Sequence, residues 1–288
     1  MQPRDLFAFP PRPITRRVIR AALEEDFPGG IDLASFGLFD ARAAAQGIFQ
    51  AKAEGVLAGG PLIERVYEEL DGDLEVELLV DDGAPLMPRQ VFAKARGPVR
   101  ALLGAERTAL NLLMRLSGIA TSTRAYVRAI EGTGCRVTDT RKTTPGLRAL
   151  EKYAVRAGGG TNHRMSLSDG ALVKDNHLAA CGDPARALAA MKARLPHTVK
   201  LEVEVTGLEQ ARMAADAGAD ILLLDNMTPE AMAVVARELA GKVVLEASGG
   251  ITLDSIAAVA RCGVQVISVG ALTHSVKALD MSFELVVP

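Results

Sequence analysis

Residues 200–225 read KLEVEVTGLEQARMAADAGADILLLD. Lys200–Val205 alternates apolar and acidic residues, the period of a half-buried strand. Leu208–Ala217 places its apolar residues at helical spacing. Gly218-Ala219-Asp220 follows as a helix-to-strand turn, with Gly supplying the cap geometry. Asp220–Asp225 then runs apolar to a terminal carboxylate. Strand, helix, Gly turn and strand in one short stretch is a βα unit, which requires parallel pairing.

The same beat extends in both directions. Further strand candidates are Cys135–Asp139, Ala171–Lys174, Lys242–Ala247 and Gln265–Val269. Helical patterns lie at Leu147–Arg156, Pro184–Leu195, Pro229–Leu239 and Leu253–Arg261. At least six such units favour an α/β barrel, with an open doubly wound sheet as the alternative. Neither GxGxxG nor GxxxxGK[ST] opens any unit, so no dinucleotide or P-loop site is indicated.

Upstream the pattern differs. Residues 1–13 hold four prolines and read as a poorly ordered or docked N-terminal arm. Ile14–Glu25 and Pro61–Leu70 carry helical spacing. Phe49–Val56, Glu75–Val80 and Gln90–Ala95 read as strands between turn signals such as Asp71-Gly72 and Asp82-Gly83. Pro98–Leu116 is a long amphipathic helix. We therefore expect an N-terminal α/β sandwich domain over 14–116, a barrel domain over 117–275, and a last segment, 276–288, whose strand Ser282–Val287 returns to the first domain.

The chain has 288 residues, 49% hydrophobic and 24% charged, enough for a sizeable core. A net charge of -2 gives no general attraction to nucleic acid or an anionic membrane. Aromatics at 4% and no Trp argue against stacking platforms for single strands. Cys135, Cys181 and Cys262 are widely spaced and odd in number, which fits free thiols in a reducing cytosol. No apolar run has the length of a membrane span, and MQPRDLFAFPPRP lacks a signal-peptide core. A cytoplasmic protein is expected.

In parallel α/β folds, function gathers where the strands end. Here the ends carry Asp139-Thr140-Arg141-Lys142, Lys174-Asp-Asn-His177, Asp225-Asn226, Glu246-Ala-Ser248-Gly249-Gly250 and Gly270-Ala271. In Leu201-Glu-Val-Glu-Val205 the apolar residues share one face, so Glu202 and Glu204 turn inward, where unpaired carboxylates are costly. Two readings stay open: Glu204 and Asp225 share a Mg²⁺ completed by water and phosphate, or the glutamates pair with Lys174 or Arg164. Ser248-Gly-Gly250 ahead of a helix near Thr252 is a phosphate cradle or a tight βα turn. Gly270-Ala271-Leu272-Thr273 repeats it one strand later. Arg141, Lys142, His163, Arg164 and Lys174 form a basic set beside the flexible Gly158-Gly-Gly160, suited to a ligand with several negative charges.

These residues resemble one family. DTRKTTPGLRALEKYAVRAGGGTNHR (139–164), LVKDNH, LEVEV, LLLDNM, EASGGITLDSI and ISVGALTHS look like quinolinate phosphoribosyltransferase, the carboxylating nicotinate-nucleotide pyrophosphorylase. GVLAGG (55–60), AERTALNLL (105–113), SGIAT (117–121) and ALDMSFEL (278–285) extend the likeness over nearly the whole chain from residue 14. Glu25–Asp32 departs from the family's usual turn, and Thr161 carries no weight in the likeness.

The resemblance implies an α/β barrel with an N-terminal α/β sandwich. It implies transfer of phosphoribose from phosphoribosyl pyrophosphate to quinolinate, with loss of CO₂, giving nicotinate mononucleotide for NAD biosynthesis. Arg107, Thr140, Arg141, Lys142, His163, Arg164 and Lys174 match the substrate-binding set, with Lys142 near the phosphates. Glu204 and Asp225 match the pair handling Mg²⁺ and the ribose hydroxyls. Lys142, Lys174, Glu204 and Asp225 are the implied catalytic residues. Ser248, Gly249, Gly250, Val269, Gly270 and Ala271 match the phosphate loops. A homodimer is implied, with Arg107 reaching the partner's barrel. Alternatives are a relative that takes nicotinate without decarboxylation and a non-catalytic relative of the molybdenum-transport-associated branch. The intact DTRK, NHR and KDN argue against the latter. No nucleophile set such as Ser-His-Asp or Cys-His stands out in the sequence, so positioning and field should carry the chemistry.

Overall fold

The computed structural model describes residues 9–26, 28–70 and 74–286. Residues 1–8 of the expected arm and the Asp71-Gly72 turn lie outside the described residues. The first elements are α1 (Arg12–Asp26), α2 (Leu33–Leu38), β1 (Ala44–Ala51), β2 (Gly55–Val56), α3 (Pro61–Glu68), β3 (Glu75–Leu78), β4 (Pro85–Leu86), β5 (Val91–Pro98) and α4 (Val99–Ala129). The alternating stretch follows as β6 (Arg136–Thr138), α5 (Arg148–Ala157), β7 (Ala171–Val173), α6 (Asp175–Ala179), α7 (Pro184–Arg194), β8 (Leu201–Val205) and α8 (Leu208–Asp216). The chain closes with β9 (Ile221–Asp225), α9 (Pro229–Leu239), β10 (Val244–Ser248), α10 (Leu253–Ala260), β11 (Val266–Ser268), α11 (Ala271–His274) and β12 (Met281–Val286).

These elements form two compact units. One comprises residues 1–124, 143–159 and 272–288; the other comprises 125–142 and 160–271.

The first unit is built on an antiparallel sheet of order β12-β1-β5-β3. The expected final strand pairs with β1, with Phe49 opposite Phe283 and Gly47 opposite Leu285. Gly47 is required there: a Cβ would lie 2.1 Å from the Phe283 ring. Phe49 and Phe92 are fully buried, their ring centroids 6.2 Å apart and their planes tilted by 44°. Asp82 ties the loop before α3, accepting from the N–H groups of Gly59 and Gly60, both at 2.9 Å, and from the Tyr153 hydroxyl at 2.6 Å. Inside this unit Arg115 donates from Nε (2.8 Å) and Nη2 (2.7 Å) to Oε1 of the fully buried Glu151, whose Oε2 accepts from the Thr144 N–H at 3.1 Å. The helix expected to end at Leu116 continues to Ala129. Its polar residues Ser117 and Thr123 are buried, and Thr123 Oγ1 bonds the Ile119 carbonyl one turn back.

The second unit holds the parallel sheet, in the order β6-β11-β10-β9-β8-β7. The expected α/β barrel is present as a barrel-like sheet with its helices. Its outward faces are dry: Leu201, Val203 and Val205 of β8 are fully buried, as are Leu222 and Leu224 of β9. Among the described residues no ladder joins β6 to β7 directly. Both strands have three residues. Thr161 fills part of the gap. Its N–H donates to the Val137 carbonyl at 2.8 Å, its carbonyl accepts from the Asp139 N–H, and it makes a parallel bridge to Thr138. The resemblance had left Thr161 without weight.

Candidate active site

Each parallel strand delivers its last residues to one end of the sheet, and there a cavity of about 300 Å³ opens. Thr140, Arg141 and Lys142 reach it after β6, Lys174 after β7, Glu204 from β8, Asp225 and Ser248 from the ends of β9 and β10. His163, Arg164, Glu246 and Ser268 complete the polar lining. Of the expected binding residues, Thr140, Arg141, Lys142, His163, Arg164, Lys174, Glu204 and Asp225 are all brought together here. They come from separate βα units, which is what parallel register accomplishes: Ser248 pairs with Asp225, and Glu204 with Leu223.

The basic wall is held from below by a carboxylate that sequence reasoning did not single out. Asp139 is fully buried at the end of β6. Its Oδ1 accepts the His163 N–H at 2.9 Å and its Oδ2 accepts Asn162 Nδ2 at 2.5 Å, which pins the Asn-His-Arg loop onto the strand. Arg164 Nη1 donates to the Gly170 carbonyl at 2.7 Å. Burial pulls the Arg164 guanidinium down, and the charge of Arg141 adds to that. Two guanidiniums disfavouring each other mark a place where an anion is favoured. Arg141 Nε is buried and has no hydrogen-bond partner among the described residues. A buried cationic donor left unmatched is costly and calls for a bound acceptor.

The carboxylates divide into two layers. In the outer layer, Glu204 Oε2 lies 3.7 Å from Lys174 Nζ. Burial raises the Glu204 carboxyl, Lys174 opposes this, and the negative charge of Asp225 raises it further. Asp225 Oδ2 accepts from Asn226 Nδ2 at 2.7 Å. Glu204 is thus ion-paired to Lys174 and close to a second carboxylate. In the inner layer Glu202 and Glu246 are buried and face His163, with Glu202 Oε2 at 3.2 Å and Glu246 Oε1 at 3.6 Å from Nε2. Arg164, a sequence candidate for pairing with these glutamates, is not the direct partner. Glu246 was legible only as an acidic residue flanked by Leu245 and Ala247, the inward step of an alternating strand.

The glycine loop after β10 adopts the left-handed geometry that favours glycine. Gly249 has φ +92°, and a Cβ there would meet Asn226 Oδ1 at 2.3 Å. Gly250 has φ +59°. Ser248 lines the cavity. Val269 is buried within the sheet and spends its N–H on the Thr138 carbonyl at 3.0 Å; Gly270 and Ala271 are half-buried just beyond. Lys174's own N–H is capped by His177 Nδ1 at 2.9 Å, which gives the second histidine of the motif a local role. Arg107 belongs to the other unit, on α4, with its side chain 56% exposed.

A parallel α/β sheet whose strand ends converge guanidiniums, a lysine and carboxylates defines an enzyme domain for a polyanionic substrate. Residues 119–284 match the family described as quinolinate phosphoribosyl transferase, C-terminal domain, and residues 32–117 match its N-terminal domain. The chain belongs to the quinolinate phosphoribosyl transferase family. It is 44% identical over 275 residues to the nicotinate-nucleotide pyrophosphorylase [carboxylating] of Mycobacterium leprae, covering 94% of this chain and 96% of that protein. The human protein of the same name is 41% identical, covering 91% and 89%. The solved nicotinate-nucleotide pyrophosphorylase of Francisella tularensis superposes with a TM-score of 0.90 at 37% identity, covering 96% of this chain and 97% of that one.

Proposed function

We infer that this chain is a decarboxylating quinolinate phosphoribosyltransferase, a pentosyltransferase that forms nicotinate mononucleotide, pyrophosphate and CO₂ in NAD biosynthesis. Curated relatives at 40–46% identity over most of the chain carry that activity in their names. The observation that carries the reading to the site is the buried Arg141 Nε, without a hydrogen-bond partner among the described residues, beside Arg164 and Lys174. A ligand with two adjacent carboxylates supplies acceptors to all three cations.

The chemistry follows from that placement. The ring nitrogen of quinolinate attacks the ribose carbon as the bond to pyrophosphate breaks, and the leaving group takes the electron pair. Positive charge grows on the ribose in the transition state, where the carboxylates of Glu204 and Asp225 favour it. Lys142, exposed at the cavity edge, is placed for the leaving phosphates. Once the nitrogen carries four bonds, the neighbouring C–CO₂ bond breaks and its electron pair is stabilised beside the pyridinium. A proton then replaces CO₂. Ser248 to Gly250 and Val269 to Ala271 take the 5′-phosphate in this reading, with the positive φ of Gly249 and Gly250 and the open space around Gly250 supporting the first loop.

Glu204 and Asp225 fit a Mg²⁺ ion. Burial and mutual repulsion raise Glu204, and a divalent cation relieves both. When bound, the ion supplies charge neutralisation to the pyrophosphate. A homodimer in which Arg107 completes the partner's site is supported by its exposed guanidinium and by the family likeness. A cytoplasmic setting is supported by three free cysteines. Among the described residues no helix is long and apolar enough to cross a membrane. Incubating the protein with quinolinate, phosphoribosyl pyrophosphate and Mg²⁺ should release pyrophosphate and CO₂ together. Release of neither would overturn the reading.

A further inference from the structure

His163 sits between two cavities. The one described above opens at the carboxyl ends of the strands. A second, of about 320 Å³, opens at their amino ends, lined by Arg136, Lys200 and Ile221 among others. His163, Arg164 and Glu246 line both, so this layer is the partition between them.

The state of the His163 ring follows from its neighbours. The backbone N–H of Arg164 points at Nδ1 at 2.7 Å. A backbone amide can only donate, so Nδ1 must be the accepting nitrogen. In the neutral ring the proton is therefore on Nε2. That proton faces Glu202, at 3.4 Å from Oε1 and 3.2 Å from Oε2, and Glu246 Oε1 at 3.6 Å. Both ring nitrogens are engaged by the protein. The His163 N–H is likewise engaged, by Asp139.

We propose that His163 is a positioning residue: it gives no ring nitrogen to the substrate, and Glu202 and Glu246 hold it so that it fixes the backbone of Arg164 at the cavity wall. The inference rests on the reading of this cavity as a dicarboxylate site. It reassigns His163 from carboxylate contact to support of the neighbouring guanidinium and gives the two inner glutamates a task. Glu246 needs only to accept or share the Nε2 proton, and its Oε1, buried without a hydrogen bond among the described residues, is the atom aimed at the ring. An amide oxygen can do the same.

Two measurements test this on the full-length protein. The first is NMR of protein labelled with ¹⁵N-histidine, with the His163 signals identified by their loss in His163→Phe. The expected result near neutral pH is an unprotonated Nδ1 and a protonated Nε2, with the same nitrogen protonated when quinolinate saturates the site. A proton on Nδ1, a doubly protonated ring, or a change of protonated nitrogen on binding quinolinate would overturn the proposal. The second is steady-state kinetics. Glu246→Ala should raise the KM for quinolinate by about tenfold, the scale of one lost hydrogen-bonded support. It should leave the KM for phosphoribosyl pyrophosphate unchanged and kcat within a few-fold. Glu246→Gln should restore the quinolinate KM to within about twofold. Equal rises in both KM values, or no rescue by glutamine, would also overturn it. A wild-type protein inactive on quinolinate would reject the function, while the NMR arm would still decide the state of the ring.

Discussion

Replacing Glu246 by glutamine changes the pH dependence of stability in a way that can be worked from the structure. Burial pushes the Glu246 carboxyl from the ordinary 4.5 up to about 7; the charge of Glu202 adds to this and His163 opposes it. Below about pH 4.5 the carboxyl is protonated in the folded and unfolded chain alike. Between 4.5 and 7 the unfolded chain ionises and the folded protein does not. Stability therefore falls as pH rises through that window, and above 7 the loss is complete. The interval from 4.5 to 7, at about 1.4 kcal/mol per pH unit, amounts to about 3 kcal/mol. Glutamine cannot ionise. The stability difference, Glu246→Gln minus wild type, should therefore rise by about 3 kcal/mol from acid pH to pH 8, most of it between pH 5 and 7.5. Urea denaturation of both proteins across this range measures it. The constant cost of an imperfect amide fit cancels in the difference between pH values. A difference that stays flat with pH would show that Glu246 is ionised in the folded protein at pH 5, and the burial argument would fail.

Three further outcomes follow from other residues. Arg141→Ala should raise the quinolinate KM by about ten- to a hundredfold, the worth of hydrogen bonds to a charged group, without moving the melting temperature by more than a few degrees; steady-state kinetics and calorimetry check both parts. Arg107→Ala and Lys174→Ala should each be inactive, and mixed dimers reassembled from the two should regain part of the activity; verified mixed dimers without recovery would remove Arg107 from the partner's site. Glu151→Ala should cost about 3–5 kcal/mol in chemical denaturation, because it strands Arg115 without the buried carboxylate that now receives two of its N–H groups.

Much of the site was legible because parallel strands obey a simple rule: their last residues meet. Thr140, Arg141, Lys174, Asp225 and Ser248 could be placed at one rim from strand ends alone, and alternation turned Glu204 inward. The same alternation identified Glu202 as interior without saying what it faces. The βα beat likewise located each parallel strand to within a residue or two, since a period of two and a period of 3.6 are written in the chain itself.

Other features depended on which elements lie beside one another. His163 looked like one more cation of the basic wall, and only its distances to Arg164, Glu202 and Glu246 set the proton on Nε2. Asp139 was the first letter of a motif until the fold buried it under the Asn-His-Arg loop. Thr161, in a stretch that reads as loop, bridges to Thr138 of β6 once the fold brings the two segments together. The sequence by itself determined the parallel α/β class, the strand ends that carry charge and the family, because these depend on local periodicity and residue type. The partners of the buried carboxylates and the tautomer of His163 were decided only by tertiary structure, because a hydrogen bond is fixed by distances between residues up to 83 positions apart in the case of His163 and Glu246 (246 − 163).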